Sequence, residues 1–234
     1  MLKKSSSVAL IILSSFFFHA CSENTNDPDK IMVNPVVSQI STTFSYHLNR
    51  VEFLNSNTGY AVGEEGIVIK TIDGGDNWFE LNSGINNSLN SVKILNQDTI
   101  IACGWNTIIR TTDGGTTWNS FSLPTNYNTY LKCIDFHENI GWAVGQHYYT
   151  DTDFPYILRS TNAGLSWTEI NTDEMKGSLS SILFLDQSRI LIGVDKSHIV
   201  HLRSICIYKS TDGGNSFYKA FTDTLVDGPH YLAS

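Results

Sequence analysis

Charge is scarce in this 234-residue chain: Asp, Glu, Lys and Arg make up only 16 % of it. Hydrophobic residues reach 41 % and aromatics 12 %, a mix too apolar for a disordered chain and sufficient for a packed core. Five prolines and 17 glycines are too few for a collagen-like repeat. The excess of 23 acidic over 15 basic residues gives a net charge of −8, which repels phosphate backbones, so no nucleic-acid partner is expected. No GxSxG, HExxH or phosphate-binding glycine loop is present. Cys103, Cys133 and Cys206 cannot all pair with one another and lie in apolar runs (IIACGW, LKCIDF, SICIYK), which reads as buried thiols on strands.

The one sustained apolar run, Val8 to Phe18, is too short to span a bilayer as a helix. It follows Lys3 and Lys4 and precedes His19-Ala20-Cys21, the layout of a secretion signal. Cysteine directly after Ala20 resembles the lipobox of bacterial lipoproteins, although Phe18 and His19 replace the usual aliphatic and small residues. That resemblance implies acylation of Cys21, anchoring to a membrane through the N-terminal lipid, and export to the outer membrane or cell surface. The other reading is an ordinary signal with a coincidental cysteine. Residues 1–20 read as signal peptide, 21–30 as a polar tether and 31–47 as an N-terminal segment able to supply a closing strand.

From residue 48 onward the chain repeats itself. KTIDGGDNW (Lys70 to Trp78), RTTDGGTTW (Arg110 to Trp118), RSTNAGLSW (Arg159 to Trp167) and KSTDGGNSF (Lys209 to Phe217) align without gaps. An Asx side chain (Asp73, Asp113, Asn162, Asp212) accepts bonds from turn amides. A glycine two residues later (Gly75, Gly115, Gly164, Gly214) permits positive φ, and an aromatic (Trp78, Trp118, Trp167, Phe217) enters the core. A second element precedes each turn: VEFLNSNTGYAVG, VKILNQDTIIACG, CIDFHENIGWAVG and SILFLDQSRILIG, starting at Val51, Val92, Cys133 and Ser181. Each gives two β-rich runs around a polar turn, at a spacing that fits four-stranded propeller blades.

The turn resembles the Asp-box, or bacterial neuraminidase repeat, of sialidase propellers. The pairing of strand–turn–GWAVG with an Asp-box resembles the photosystem II assembly/stability factor-like propellers. Both resemblances imply an all-β propeller of four-stranded antiparallel blades whose boxes are structural and lie away from any active site. The expected blades are about 48–83, 90–123, 130–171 and 179–222, with the start of a fifth at 230–234, so that the chain is an open arc or part of a longer propeller. In the second blade the strands are expected at Ser91–Leu95, Thr99–Trp105, Thr107–Thr111 and Thr117–Leu123.

Blades three and four each carry roughly eight to ten extra residues between their second and third strands. The 2–3 loops share one face of a propeller, opposite the boxes. The insertions place His147, Tyr148, Tyr149, Asp151, Asp153 and Tyr156, then Asp195, Lys196, His198, His201 and Arg203, on that face. Tyr, His and Arg suit an interface for a protein or glycan. Alternatively the insertions only lengthen two strands into a protruding hairpin. Asp195, His198 and His201 have metal-ligand types, but their apolar neighbours alternate as in a strand, so neither metal nor cofactor is expected. Lys70, Arg110, Arg159 and Lys209 recur before the boxes, either for local contacts or as a cationic ring.

Sialidases need an arginine triad and a tyrosine–glutamate nucleophile pair. Of five arginines here, two stand in boxes and Arg189 in a turn on the other face, leaving Arg50 and Arg203. A non-enzymatic, lipid-anchored binding module is therefore the first reading and a sialidase-like glycoside hydrolase the second. The photosynthetic role is not carried over by residues that build blades, and an envelope lipoprotein argues against it.

Overall fold

The computed structural model describes residues 46–123, 128–149, 152–195 and 203–225. They lie almost wholly in the compact unit Leu48–Ser234, with Met1–His47 forming a separate unit. Among the described residues sixteen strands form four antiparallel sheets of four, each in sequence order. The first contains β1 (Leu48–Phe53), β2 (Gly59–Gly63), β3 (Val68–Thr71) and β4 (Phe79–Leu81). The second contains β5 (Leu89–Ile94), β6 (Ile100–Gly104), β7 (Thr107–Thr111) and β8 (Asn119–Ser122). The third contains β9 (Asn128–His137), β10 (Ile140–Tyr149), β11 (Thr152–Ser160) and β12 (Thr168–Ile170). The fourth contains β13 (Ser178–Phe184), β14 (Ile190–Asp195), β15 (Arg203–Ser210) and β16 (Tyr218–Leu225). Among the described residues the only helical element is a 3-10 turn at Glu64–Gly66. These are propeller blades; most ends fall within about two residues of the sequence expectation, while the last strand runs on to Leu225, past the expected end at 222.

Successive sheets pack face to face, and each neighbouring pair shares one core. Tyr60, Val62 and Val68 meet Leu89, Val92 and Ile109 between sheets one and two. Ile101, Cys103 and Ile108 meet Leu131, Ile134 and Trp167 between two and three. Trp142, Val144 and Ile157 meet Leu179, Ile192 and Tyr208 between three and four. The second strands explain why the sequence shows apolar runs there rather than alternation: β2 and β6 are buried at every position, because a sheet interior has neighbours on both faces. The outermost β4, β8 and β12 are short and mostly exposed. Cys103 and Cys206 are buried on β6 and β15, and Cys133 is half-buried on β9, all as free thiols.

A glycine on each second strand (Gly63, Gly104, Gly145, Gly193) lies at or beside a bulge in its pairing with the first. Ladder registers slip between Leu89 and Ser91 and between Leu179 and Ser181, and the β9–β10 ladder slips between Val144 and Gly145. At Gly104 an added Cβ would lie 1.9 Å from the Ser88 carbonyl, so the bulged strand closes only over a residue without a side chain.

The box aromatic stands just before the fourth strand rather than in it, and its size is matched to the sheet behind. Trp118 packs into the core containing Tyr60, and Trp167 into the one containing Ile101. The smaller Phe217 stands edge-on to Trp142 at 5.7 Å between centroids. The departure of the fourth box from tryptophan is thus paired with the large indole at position 142 in the preceding sheet.

Candidate binding face

The four boxes share one wiring. In the second, the Thr111 hydroxyl donates to Asp113 Oδ1 (2.7 Å) and accepts from the Gly115 amide (3.0 Å). Asp113 also accepts from the Thr117 amide (2.9 Å) and hydroxyl (2.6 Å). Asp73 and Asp212 are held in the same way by Asn77 and Ser216. In the third box Asn162 Oδ1 accepts from the Ser166 amide (3.0 Å) while its Nδ2 donates to the Ser166 hydroxyl (2.8 Å), so an amide completes the turn as a carboxylate does. These bonds lower the carboxyl pKa values to about 2: the Asn77 amide leads at Asp73, the Thr117 hydroxyl at Asp113 and the Ser216 hydroxyl at Asp212. Each acid is occupied within its own turn.

Two of the four recurrent cations, Lys70 and Arg110, clasp the following sheet. Lys70 Nζ and the Tyr60 hydroxyl both donate to the Gly114 carbonyl in the second box (3.1 and 3.0 Å). Arg110 Nε donates to the Ala163 carbonyl in the third (2.9 Å). Arg159 instead lies over the Trp142 ring at 5.4 Å, beside a crevice of about 420 Å³, and its Nε has no hydrogen-bond partner. Toward the other end of the sheets, Asn49 and Asn90 each donate to a carbonyl of the next sheet, Leu89 and Leu131, at 2.8 Å. Between these ends Lys93 bridges Glu52 (3.5 Å) and Asp135 (2.8 Å) across three sheets.

The third sheet carries the long hairpin that the first insertion builds. β10 and β11 stay paired from Gly141↔Ser160 out to Tyr149↔Thr152, and β9 follows as far as Tyr148↔Asn128. The insertion therefore lengthens strands, the plainer of the two sequence expectations. His147, Tyr148 and Tyr149 lie on β10, Asp153 and Tyr156 on β11, Asp195 at the end of β14 and Arg203 at the start of β15. Asp151, Lys196, His198 and His201 lie outside the described residues, as do Cys21 and the tether.

Tyr156 corrects the expected set. It is buried, 1 % exposed, and belongs to the core between sheets two and three. Its spacing of two from Leu158 puts both on the same face of β11, a signal present in the sequence. Its ring lies 4.0 Å from that of His147 and its hydroxyl is buried without a hydrogen-bond partner; desolvation, and then the charge of Glu169, raises its pKa. His147 is half-buried, its Nδ1 2.9 Å from the Thr129 hydroxyl, and desolvation lowers its pKa.

Sequence reasoning also missed what surrounds this pair. Asn106, in the left-handed region at φ 53, exchanges backbone and side-chain bonds with Thr129: its amide donates to the Thr129 carbonyl (2.8 Å) and its Oδ1 accepts from the Thr129 amide (2.6 Å). Trp105 meets Tyr130 edge-on at 5.8 Å. Phe154, paired with His147 across the ladder, is 51 % exposed. The rim at this end of sheets two and three thus combines half-buried Trp105, Tyr130 and His147 with an exposed phenylalanine, on a scaffold fixed by Asn106. Such a rim supplies large apolar area with polar tips and little side-chain freedom.

A family model described as photosynthesis system II assembly factor YCF48 matches residues 32–126 and 101–228. The photosystem II assembly lipoprotein Ycf48 of Synechococcus sp. (strain CC9902) is 32 % identical over 124 residues, covering 51 % of this chain and 33 % of that protein. The chain thus matches about a third of that relative's length. YCF48 from Cyanidioschyzon merolae superposes with a TM-score of 0.52 at 15 % identity, over 77 % of this chain and 61 % of that one. An ancestral GH74 enzyme reaches 0.57 at 14 % identity, over 74 % of this chain and 25 % of that one. At such identities the two structures speak to the propeller fold alone. With box, bulge glycine and blade order all in place, and the family model running over most of the sequence, this chain belongs to the photosynthesis system II assembly factor YCF48 family.

Proposed function

We propose that this protein is a lipid-anchored, non-enzymatic propeller that binds a protein partner at the bacterial cell envelope through the rim around the third sheet's long hairpin. The observation that carries this reading is the exposed Phe154 beside His147, with the Trp105–Tyr130 pair at the same end of the sheets, away from the boxes. Box acids are spent on their own turns and two of the four box cations on neighbouring sheets, so the box end offers less free chemistry. The Synechococcus relative is described as an assembly lipoprotein, which supports a protein partner, while acylation of Cys21 rests on the lipobox resemblance of the sequence around it. It also weakens the argument that an envelope lipoprotein is incompatible with an assembly role.

The anchor is tested by feeding cells an alkyne-labelled fatty acid: wild type takes up label at its mature N-terminus and Cys21→Ala takes up none. Equal labelling of both refutes the lipid attachment. The absence of catalysis is tested with a fluorogenic sialoside, where turnover by the purified protein that is lost on Arg203→Ala favours the glycosidase reading instead.

A further inference from the structure

The joint between the third and fourth sheets departs from the two before it. Each recurrent cation is the ladder partner of a residue on the second strand: Lys70 of Tyr60, Arg110 of Ile101 and Arg159 of Trp142. In the first two joints the cation bonds the carbonyl just after the Asx residue of the next box, that of Gly114 or Ala163. The matching carbonyl in the fourth box belongs to Gly213. It accepts no hydrogen bond among the described residues, and the Arg159 guanidinium donates none to them. Arg159 lies instead over the Trp142 ring, 5.4 Å from its centre.

Between the two unbonded groups opens the crevice of about 420 Å³, walled by Ile140 and Arg159 from the third sheet and by the Asp186–Ser188 turn and the box residues Asp212 and Gly213 from the fourth. That volume falls within the roughly 300–1,000 Å³ of small-ligand sites. It is many times the roughly 30 Å³ share of one water in the liquid, so a single bridging water does not close the gap.

The lining favours a neutral ligand. Arg189 spends its Nε on Asp186 Oδ2 (2.6 Å), so Arg159 and Asp212 are the remaining charges and balance one another. An anion meets Asp212 and the Gly213 carbonyl, and a cation meets Arg159. The two unbonded groups need an acceptor and a donor on neighbouring atoms. Vicinal sugar hydroxyls supply both, since each donates once and accepts twice. Asp186 Oδ2 can take a further hydroxyl hydrogen, and the exposed Gln187 carboxamide donates and accepts alongside.

We propose that the crevice between the third and fourth sheets binds a neutral sugar, with one hydroxyl on the Arg159 guanidinium and its neighbour on the Gly213 carbonyl. The site stands at the box end, apart from the rim around Phe154, and does not depend on the protein partner assigned to that rim.

NMR titration of the isotope-labelled full chain tests this, with cellobiose and maltose as neutral probes and sialic acid, glucosamine and N-acetylglutamine amide as comparisons. The expected result is a saturable shift of the Arg159 Nε–H and Gly213 amide resonances with at least one of the two disaccharides. Arg159→Met, which keeps an apolar stem over Trp142, is expected to lose it, and Phe154→Ala to retain it. Should Arg159→Met fail to fold, the wild-type shifts decide, because they map the sugar to the crevice or elsewhere. No saturable shift with either disaccharide, shifts confined to other residues, a shift that persists in a folded Arg159→Met, or tighter binding of a comparison compound overturns the proposal; the last points to an anion, a cation or a peptide group as the occupant.

Discussion

At the scale of the residue, the box is a polar knot in which one side chain closes a turn of five residues, as from Asp113 to Thr117, and the identity of its centre is set by acceptor geometry rather than charge. Asn162 demonstrates this by replacing one carboxylate-to-hydroxyl bond with an amide-to-hydroxyl bond. Asp113→Asn is therefore expected to leave the thermal midpoint nearly unchanged, while Asp113→Ala, which strands the Thr117 amide and hydroxyl, lowers it clearly. The pH dependence has a definite sign. Folded-state pKa values near 2 for Asp73, Asp113 and Asp212 lie below the ordinary 3.8. Their stabilisation is therefore fully present above the ordinary carboxylate range and is lost as pH falls from there through about 2. The triple Asp→Asn variant is expected to unfold with a flatter pH profile across that window; an unchanged profile in acid titration followed by fluorescence would contradict the assignment.

At the scale of the element, sheets are joined by matched volumes and by backbone acceptors. Gly104→Ala drives a Cβ into the Ser88 carbonyl and is expected to cost at least about 1–3 kcal/mol in denaturant unfolding. Phe217→Trp, although it restores the residue of the other boxes, is expected to cost about the same, because it meets Trp142. Pairing it with Trp142→Ile, which reproduces the Ile101–Trp167 combination, is expected to recover part of that loss as a favourable coupling in a double-mutant cycle. The blades were legible in the sequence because box, polar turn and strand alternation are local and recur in step. The clasps were not, since Lys70 and Arg110 find their carbonyls 44 and 53 residues away on backbone atoms that carry no side-chain signature. Tyr156 was misplaced because an insertion was read as surface, although its period with Leu158 already put it on a core face.

At the scale of the molecule, the two ends of the sheets do different work. The box end is committed to wiring within turns and between sheets, and the opposite end carries the lengthened hairpin with Phe154, held by the Asn106–Thr129 exchange. That division is only half legible in the sequence: the insertion gives the hairpin's length, while Trp105, Asn106 and Tyr130 join the same rim from the second sheet and from the start of β9. The most direct test places a photoreactive phenylalanine analogue at Phe154 on one end of the third sheet or at Leu165, 66 % exposed in the box on the other, and irradiates the protein in cells that express it. The account predicts a discrete cross-linked partner from position 154 and none from position 165; the same partner captured from 165 alone, or equally from both, would contradict it.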